Sequence, residues 1–295
     1  MSLIKYRAFI KVVDTGSITK TAELMGYSQP GISHMLESLE NEFGFPILQR
    51  NKQSLTPTEN GKKLLGYCYE IIKNENYLHD TVQSINGLLT GTIKIGSLYS
   101  MLINIVPQIV KKYSSSFGDV DIHIKETHYE DINDSLRAGS LDIGFTNINL
   151  IDDFDFIPLL KDPVILIVPS NHPLAKKKEI FIPMLNDYDF IMPLPGFNDI
   201  LDEVSKIQKF RPNAKHHVGS DIAVMEMVSN NLGISVLSKQ AKELLPDNVV
   251  AKDFKEDIHR TMGIAIKSMK HATPAIKEFI DVSIEIIKGG SESIR

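Results

Sequence analysis

The sequence predicts a mostly helical winged helix-turn-helix domain, then one long helix, then an α/β domain built from two similar halves. Three observations carry that prediction. Two short capped helices meet at a Gly-containing turn between residues 17 and 44. A seam of alternating four- and three-residue spacing runs from residue 64 to residue 89. From residue 92 onward, apolar strand patterns alternate with helical ones.

Leu3, Tyr6, Phe9, Ile10 and Val13 recur at helical spacing and predict a first helix with one apolar face. Ser17 is placed to cap a second helix, and Gly26 to end it in the left-handed conformation. Ser28 caps a third, whose first turn tolerates Pro30. On that third helix Ile32, Leu36, Leu39 and Phe43 form one apolar stripe, and the opposite face is small and polar. Gln29, Pro30, Ser33 and His34 fall in its N-terminal turns, where a recognition helix places base-edge contacts, and the capping Ser28 joins them as a DNA contact. Glu37 is expected to face solvent beside the groove, because phosphates repel a carboxylate.

Residues 45–50 and 51–55 read as strand, polar turn and strand, a wing carrying Arg50 and Lys52 toward the phosphate backbone. Residues 1–58 hold six basic and five acidic side chains, so the module is not a basic arm. Phosphate contact must rest on Arg50, Lys52, hydroxyls and helix N-termini. Two copies of so neutral a module would bind far better than one.

A pairing device follows. Thr56-Pro57-Thr58-Glu59 has the form of a capping box with Pro57 at the first helical position. Leu64, Cys68, Ile71, Glu75, Leu78, Val82, Ile85 and Leu89 then make a heptad seam with one charged break, at Glu75. Such a helix suits a two-fold dimer reading two related half-sites on DNA. Cys68, the single cysteine, excludes intrachain disulfides, fits a reducing compartment and reads as a small apolar residue of the seam.

The 295 residues, 42% hydrophobic, leave room for two or three domains with proper cores. A net charge of −5 excludes a generic polycation. Lys5, Arg7, Lys11 and Asp14 interrupt the first apolar stretch, and no run approaches membrane-spanning length, so a cytoplasmic protein without a membrane partner is expected.

Beyond a joint at residues 87–91, strands are expected at 92–96 and 120–124 and helices at 102–113 and 131–138, with the segment 139–146 closing the series. A buried strand at 163–168 leads to the turn Ser170-Asn171-His172-Pro173. A second series follows: strand 190–193, helix 200–210, a strand near 217–218, helix 222–231 and strand 233–237. Strand 262–266 and helix 274–288 close the chain. Alternation of this kind means a mostly parallel sheet covered by helices, with ligands at the C-terminal ends of the strands. Ser97 and Ser100, Thr146 and Asn147, Asn198, and Ser220 with Asp221 fall there. Their hydroxyls and amides suit a small anion; no Arg falls among them, which favours a carboxylate over a phosphate ester. Helix capping accounts for the same spacing, and the two roles are compatible.

Nothing in the chain suits an enzyme: it has no Gly-rich phosphate loop, no Gly-x-Ser-x-Gly elbow and no His pair at metal-ligand helical spacing. No catalytic residue, metal or cofactor is therefore expected. The adjacent His216 and His217 would point to opposite faces of a strand. An intracellular solute sensor whose N-terminal hairpin only mediates assembly is the remaining alternative, and DNA binding separates the two.

Phe9, Gly16-Ser17, Ala22, Leu24, Ser28-Gln29-Pro30, Ser33, Leu39-Glu40, Gly44, Arg50, Leu55-Thr56 and Gly61 resemble the DNA-binding domain of LysR-type transcriptional regulators. The pattern departs at Thr21, where the family usually has Ala, and at Ile47-Leu48, where it usually has Leu-Phe. Both are core-volume changes. Pro107, Gly139-Ser140-Leu141-Asp142, Asn171-His172-Pro173-Leu174 and Gly233-Ile234-Ser235-Val236 resemble the periplasmic-binding-protein-like effector domain of the same family. The resemblance covers essentially the whole chain. It implies a DNA-binding domain over 1–58, a linker helix over 59–90, one effector subdomain over 91–162 plus 267–295, and another over 163–266. It adds Thr56 to the DNA contacts and carries effector contact onto Ser100 and Thr146, then Ser97, Asn198 and Ser220, with Thr127 and His128 after the second strand. It further implies a homodimer or homotetramer on double-stranded DNA, a small-molecule effector and RNA polymerase as partner.

Overall fold

The computed structural model describes residues 2–50, 54–86, 89–150, 153–194, 200, 204 and 210–290. Helices α1 (Leu3–Thr15), α2 (Ile18–Met25) and α3 (Gln29–Phe43) bury Tyr6, Phe9, Val12, Ala22, Ile32, Leu36 and Leu39 against one another. The Ser17 side chain accepts from the Lys20 amide at 3.3 Å and Ser28 from that of Gly31 at 3.2 Å, so both expected caps form. Gly26 ends α2 at φ +71°, a conformation that costs a residue with a Cβ.

The wing is β1 (Leu48–Arg50) paired antiparallel with β2 (Leu55–Pro57), Leu48 opposite Pro57. Pro57 is therefore the last residue of a strand, and the capping box read at residues 56–59 does not form. The helix α4 (Glu59–Ile85) starts later, with Thr58 accepting from the Gly61 amide at 3.0 Å and donating to the Pro46 carbonyl at 2.9 Å. A two-stranded wing tolerates Pro at its edge, so strand pairing prevails over the helical preference of Pro57. Gly61 is needed here: a Cβ would lie 2.1 Å from the Ile47 carbonyl oxygen.

At 27 residues α4 is about 40 Å long. It is tied to the winged domain by Arg7–Glu75 at 2.8 Å and by the Tyr69 hydroxyl, which donates to Asp14 at 2.9 Å. It is tied to the α/β domain by Lys73–Asp142 at 3.0 Å and by Lys267–Glu70.

The α/β domain then runs through β3 (Gly91–Ser97), α5 (Tyr99–Leu102), α6 (Ile105–Ser116), β4 (Val120–Glu126), α7 (Tyr129–Ala138) and β5 (Ile143–Asn147). It continues through β6 (Asp155–Pro169), β7 (Asp189–Pro193), β8 (Asn213–Val218), α8 (Asp221–Ser229), β9 (Ser235–Ser238), β10 (Val249–Asp253), β11 (His259–Ile266) and α9 (Pro274–Gly290). The one helix expected over 102–113 is two, α5 and α6. Strand β10 and the first part of β6 carry too little apolar alternation to have been expected. The helix expected over 200–210 lies largely outside the described residues.

The main sheet has the order β10-β6-β11-β5-β3-β4, with β9 also paired to β6, at residues 164–167. Strand β3 is parallel to β4 and β5, whereas β11 is antiparallel to β5 and β6. β6 serves both halves: residues 155–163 face β11, and residues 164–169 face β9 and β10. β7 and β8 form a parallel pair beside β9.

This topology corrects one boundary. Residues 259–266 were expected in the second half, but β11 is a central strand of the first, because its pairing with β5 and β6 fixes it there. Each half has its own core. Ile93, Ile95, Ile109, Tyr113, Phe145 and Phe279 fill the first, closed by α9, and Leu166, Val168, Ile180, Phe190 and Val236 fill the second. Two β segments, the middle of β6 and the approach to β11, join the halves. No helix among the described residues is long and apolar enough to cross a membrane.

Candidate functional site

Two surfaces deserve construction from their residues, and the first is the N-terminal end of α3. Burial of Ile32, Leu36 and Leu39 fixes the rotation of the helix, and the residues between them must face out. Ser28, Gln29, Pro30 and His34 are exposed and Ser33 is half-buried, so the polar face expected at this end is present. Glu37 is exposed one turn further on. Thr56 is half-buried on β2, opposite Gln49 of β1. Arg50 ends β1, but its side chain lies outside the described residues, as does the whole of Lys52.

The seam on α4 divides. Leu64 and Cys68 turn into the winged-domain core, and burial pushes the Cys68 thiol above its ordinary pKa, which suits a packing residue. Glu75, the charged break, is the partner of Arg7. Beyond it Leu78, Val82 and Ile85 stay exposed, Leu78 at 64% and Ile85 at 80%, and Ile71 stands one heptad before Leu78. A monomer leaves this stripe in water.

The second surface is a cleft of about 230 Å³ between the two α/β halves. Ser100 on α5 and Thr127 and His128 at the start of α7 line it from the first half. Ser220 and Asp221 at the start of α8 line it from the second, and Arg260 of β11 lies at the junction. Ser220 does cap α8, accepting from the Ala223 amide at 3.4 Å. Ser100 is inside α5 and caps nothing, so capping does not account for it.

Ser97 is fully buried behind this wall, donating to the Leu98 carbonyl at 3.0 Å. Thr146 is buried opposite Gly263 of β11. Neither lines the cleft. Asn198 lies outside the described residues. The hydroxyl of Thr127 donates to Asp131 at 3.3 Å, which steadies the first turn of α7. His216 is half-buried and His217 exposed on β8, on opposite faces as expected.

No Arg stands at the strand-end positions, but Arg260 lines the cleft from β11. It is 3% exposed and pairs with Asp162, 1% exposed, which stands directly opposite in the β6–β11 register. Its Nη2 also donates to Ser100 Oγ at 3.0 Å, and the Ser238 hydroxyl donates to Asp162 at 2.7 Å. One ionic network thus connects β11, β6, α5 and β9 where the chain passes from one half to the other. Removing one member of such a buried pair costs about 3–5 kcal/mol, because the other charge is left without compensation. An Arg followed by a short apolar run gave no sequence signal; only the strand register brings it to Asp162.

Among the described residues, the remaining carboxylates of the cleft are two. Glu126 ends β4 and Asp221 begins α8, and both line the cavity. Beside them the Tyr99 phenol is pushed above its ordinary pKa by burial, then by the charges of Asp221 and Glu126. Among the described residues no group of three or more His, Cys, Asp or Glu side chains is placed to hold a metal ion.

With this geometry in hand, comparison with known proteins is informative. Residues 3–62 match the family model described as bacterial regulatory helix-turn-helix protein, lysR family, and residues 86–286 the LysR substrate binding domain. CysL, a helix-turn-helix transcriptional regulator of Bacillus subtilis, is 28% identical over 270 residues, 88% of this chain and 84% of the relative. A full-length OxyR variant from Pseudomonas aeruginosa shares the fold with a TM-score of 0.80 and 23% identity, covering 97% of this chain and 95% of that one. Full-length CbnR, solved in complex with its target DNA, gives a TM-score of 0.70 at 16% identity, covering 96% and 99%.

Proposed function

The chain belongs to the LysR family of DNA-binding transcriptional regulators, not to a family of enzymes, and on that premise we propose how its parts divide the work. The end of α3 enters the major groove of double-stranded DNA, with Gln29, Pro30, Ser33 and His34 at base edges. Ser28 and Thr56 reach the backbone, and Arg50 and Lys52 on the wing meet phosphate or the adjacent minor groove. CbnR was solved with its target DNA, which supports this role for the shared fold. The observation that carries the reading is the exposed polar end of α3, held by the Ser28 cap on a helix whose other face is buried.

The protein works in the cytoplasm as a homodimer or homotetramer. The exposed stripe of Ile71, Leu78, Val82 and Ile85 pairs with the same stripe of a second copy, and the operator holds two related half-sites. A small metabolite with an anionic group binds between the α/β halves, meeting Ser100, Thr127, His128 and Ser220; Ser97 and Thr146 support that wall from behind, and the family resemblance adds Asn198 as a further contact. Closure of the halves selects among arrangements of the assembly that already exist, changing DNA spacing or bend and so the recruitment of RNA polymerase.

A mobility shift of the full-length protein on DNA flanking its own gene, with an unrelated duplex as competitor, tests this. Specific retardation is expected. Failure of folded protein to retard any flanking fragment at low salt would favour an assembly-only sensor.

A further inference from the structure

We infer that Tyr27 is a further DNA contact, its phenol donating to a backbone phosphate at the rim of the major groove that the end of α3 enters. This deepens, and rests on, the reading of that end as the base-reading surface. Tyr27 is 44% exposed and directly precedes Ser28, the cap of α3. Among the described residues its hydroxyl has no hydrogen-bond partner. A large aromatic side chain with a polar tip, left in water beside the reading helix, has a donor to give and a ring face to cover.

The backbone on both sides of Tyr27 is fixed. Upstream, Gly26 at φ +71° turns the chain out of α2, and the Tyr27 amide closes that turn on the Ala22 carbonyl at 2.9 Å. Downstream, the Ser28 side chain accepts from the Gly31 amide at 3.2 Å. The phenol therefore leaves a rigid corner, and little backbone freedom is lost when it meets a partner. Its place relative to the groove follows from lengths. Consecutive Cα atoms are about 3.8 Å apart, so Tyr27 stands at most about 8 Å upstream of Gln29. The major groove is about 12 Å wide, so its phosphate walls lie about 6 Å from a side chain reading bases at its centre. A chain that leaves the groove at Tyr27 thus passes the sugar-phosphate wall.

The chemistry also supplies what the winged module lacks. Six basic against five acidic side chains in residues 1–58 leave little net charge to draw phosphates. A phenol adds a donor without adding a cation, and its ring covers a deoxyribose. It binds the backbone without releasing a counterion, which separates it by experiment from a lysine or arginine contact. As a backbone contact it strengthens binding to any duplex, and specificity stays with the base edges.

The test is a mobility-shift titration of the full-length protein on DNA flanking its own gene and on an unrelated duplex, at several salt concentrations, comparing the parent with Tyr27→Phe, Tyr27→Lys and Gln29→Ala. Phe keeps the ring and its packing, and melting of each variant checks that folding is intact. Tyr27→Phe should bind both duplexes about tenfold more weakly, with the slope of log affinity against log salt unchanged. Tyr27→Lys should steepen that slope by about one unit per copy bound, because an ammonium at the same place displaces a counterion. Parent-like affinity of Tyr27→Phe, a loss confined to the flanking DNA, or a Tyr27→Lys slope equal to the parent's would each overturn the contact. If Gln29→Ala is still weakened on the flanking DNA, such a result removes Tyr27 alone; if Gln29→Ala also matches the parent on both duplexes, the reading of the α3 end falls with it.

Discussion

The DNA-reading end and the cleft place their polar groups by opposite means. At the first, Ser28, Gln29, Pro30, Ser33 and His34 lie within seven consecutive residues of one short segment, and a single capped helix sets their directions. At the second, Ser100, Thr127, Asp162, Ser220 and Arg260 come from five separate elements and meet because of strand order and register. The first site costs the fold little, since its side chains are exposed and the core lies on the other face of α3. The second is part of the fold: a buried ion pair stands at the point where the halves join. Changes at Gln29, Pro30, Ser33 and His34 should therefore act mainly on binding, whereas changes at the Ser28 cap and in the cleft network should act on stability as well.

The largest expected effect separates the two ends by removing the device that doubles the first. Leu78→Glu with Val82→Glu places charge on the exposed stripe of α4, and two apolar side chains of this size contribute about 3–6 kcal/mol when buried in an interface. Sedimentation should show monomers at concentrations where the parent is dimeric, with operator affinity lost and the α/β domain still melting cooperatively. A double variant that sediments like the parent would move the dimer contact elsewhere.

Next comes the network. Arg260→Met should lower effector-domain stability in urea by about 3–5 kcal/mol, and adding Asp162→Leu should restore most of it, because the cost is the uncompensated carboxylate. If the double variant is no more stable than the single one, the pair is not the cause. Ser100→Ala should blunt the effector response of the mobility shift by about tenfold and leave operator affinity without effector unchanged, since one charge-assisted hydrogen bond is at stake. An unchanged response would reduce Ser100 to a partner of Arg260.

The smallest effect lies on α4, where Asp80 is held above the ordinary carboxylate range, first by burial and then by the negative charge of Asp142. A carboxyl whose folded pKa is raised stabilises the fold when protonated; that contribution is present below the unfolded pKa and is lost as pH rises through the folded one. Asp80→Asn should therefore raise Tm slightly at neutral pH and flatten the fall in stability above about pH 4. A variant whose Tm tracks the parent at every pH would show that Asp80 is not in this environment.

The same contrast explains what was legible in the sequence. Caps at Ser17 and Ser28, the turn at Gly26 and the stripe on α3 are local, so spacing alone gave that helix pair nearly residue for residue. Pro57 was misplaced because the preference of one residue lost to pairing with Leu48 some nine residues away. The seam read as one feature divides, since Leu64 and Cys68 enter the winged-domain core, Glu75 pairs with Arg7, Ile71, Leu78, Val82 and Ile85 stay open, and Leu89, past the end of α4, packs on the core of the α/β domain. The return point before β11 was misjudged, and with it Arg260, because pairing with Asp162 spans 98 residues and leaves no periodic trace. Ser100 and Ser220 follow strand ends, a rule of α/β topology that needs no register, and Thr127 and His128 came with the family resemblance; all four line the cleft.

The most direct test of the account is a mobility-shift titration of Gln29→Ala against the parent on the operator duplex and on an unrelated one. Base readout from the end of α3 predicts a loss of about 1–3 kcal/mol on the operator and almost none on the unrelated duplex. Equal losses on both would contradict it, and would assign Gln29 to the backbone rather than to a base.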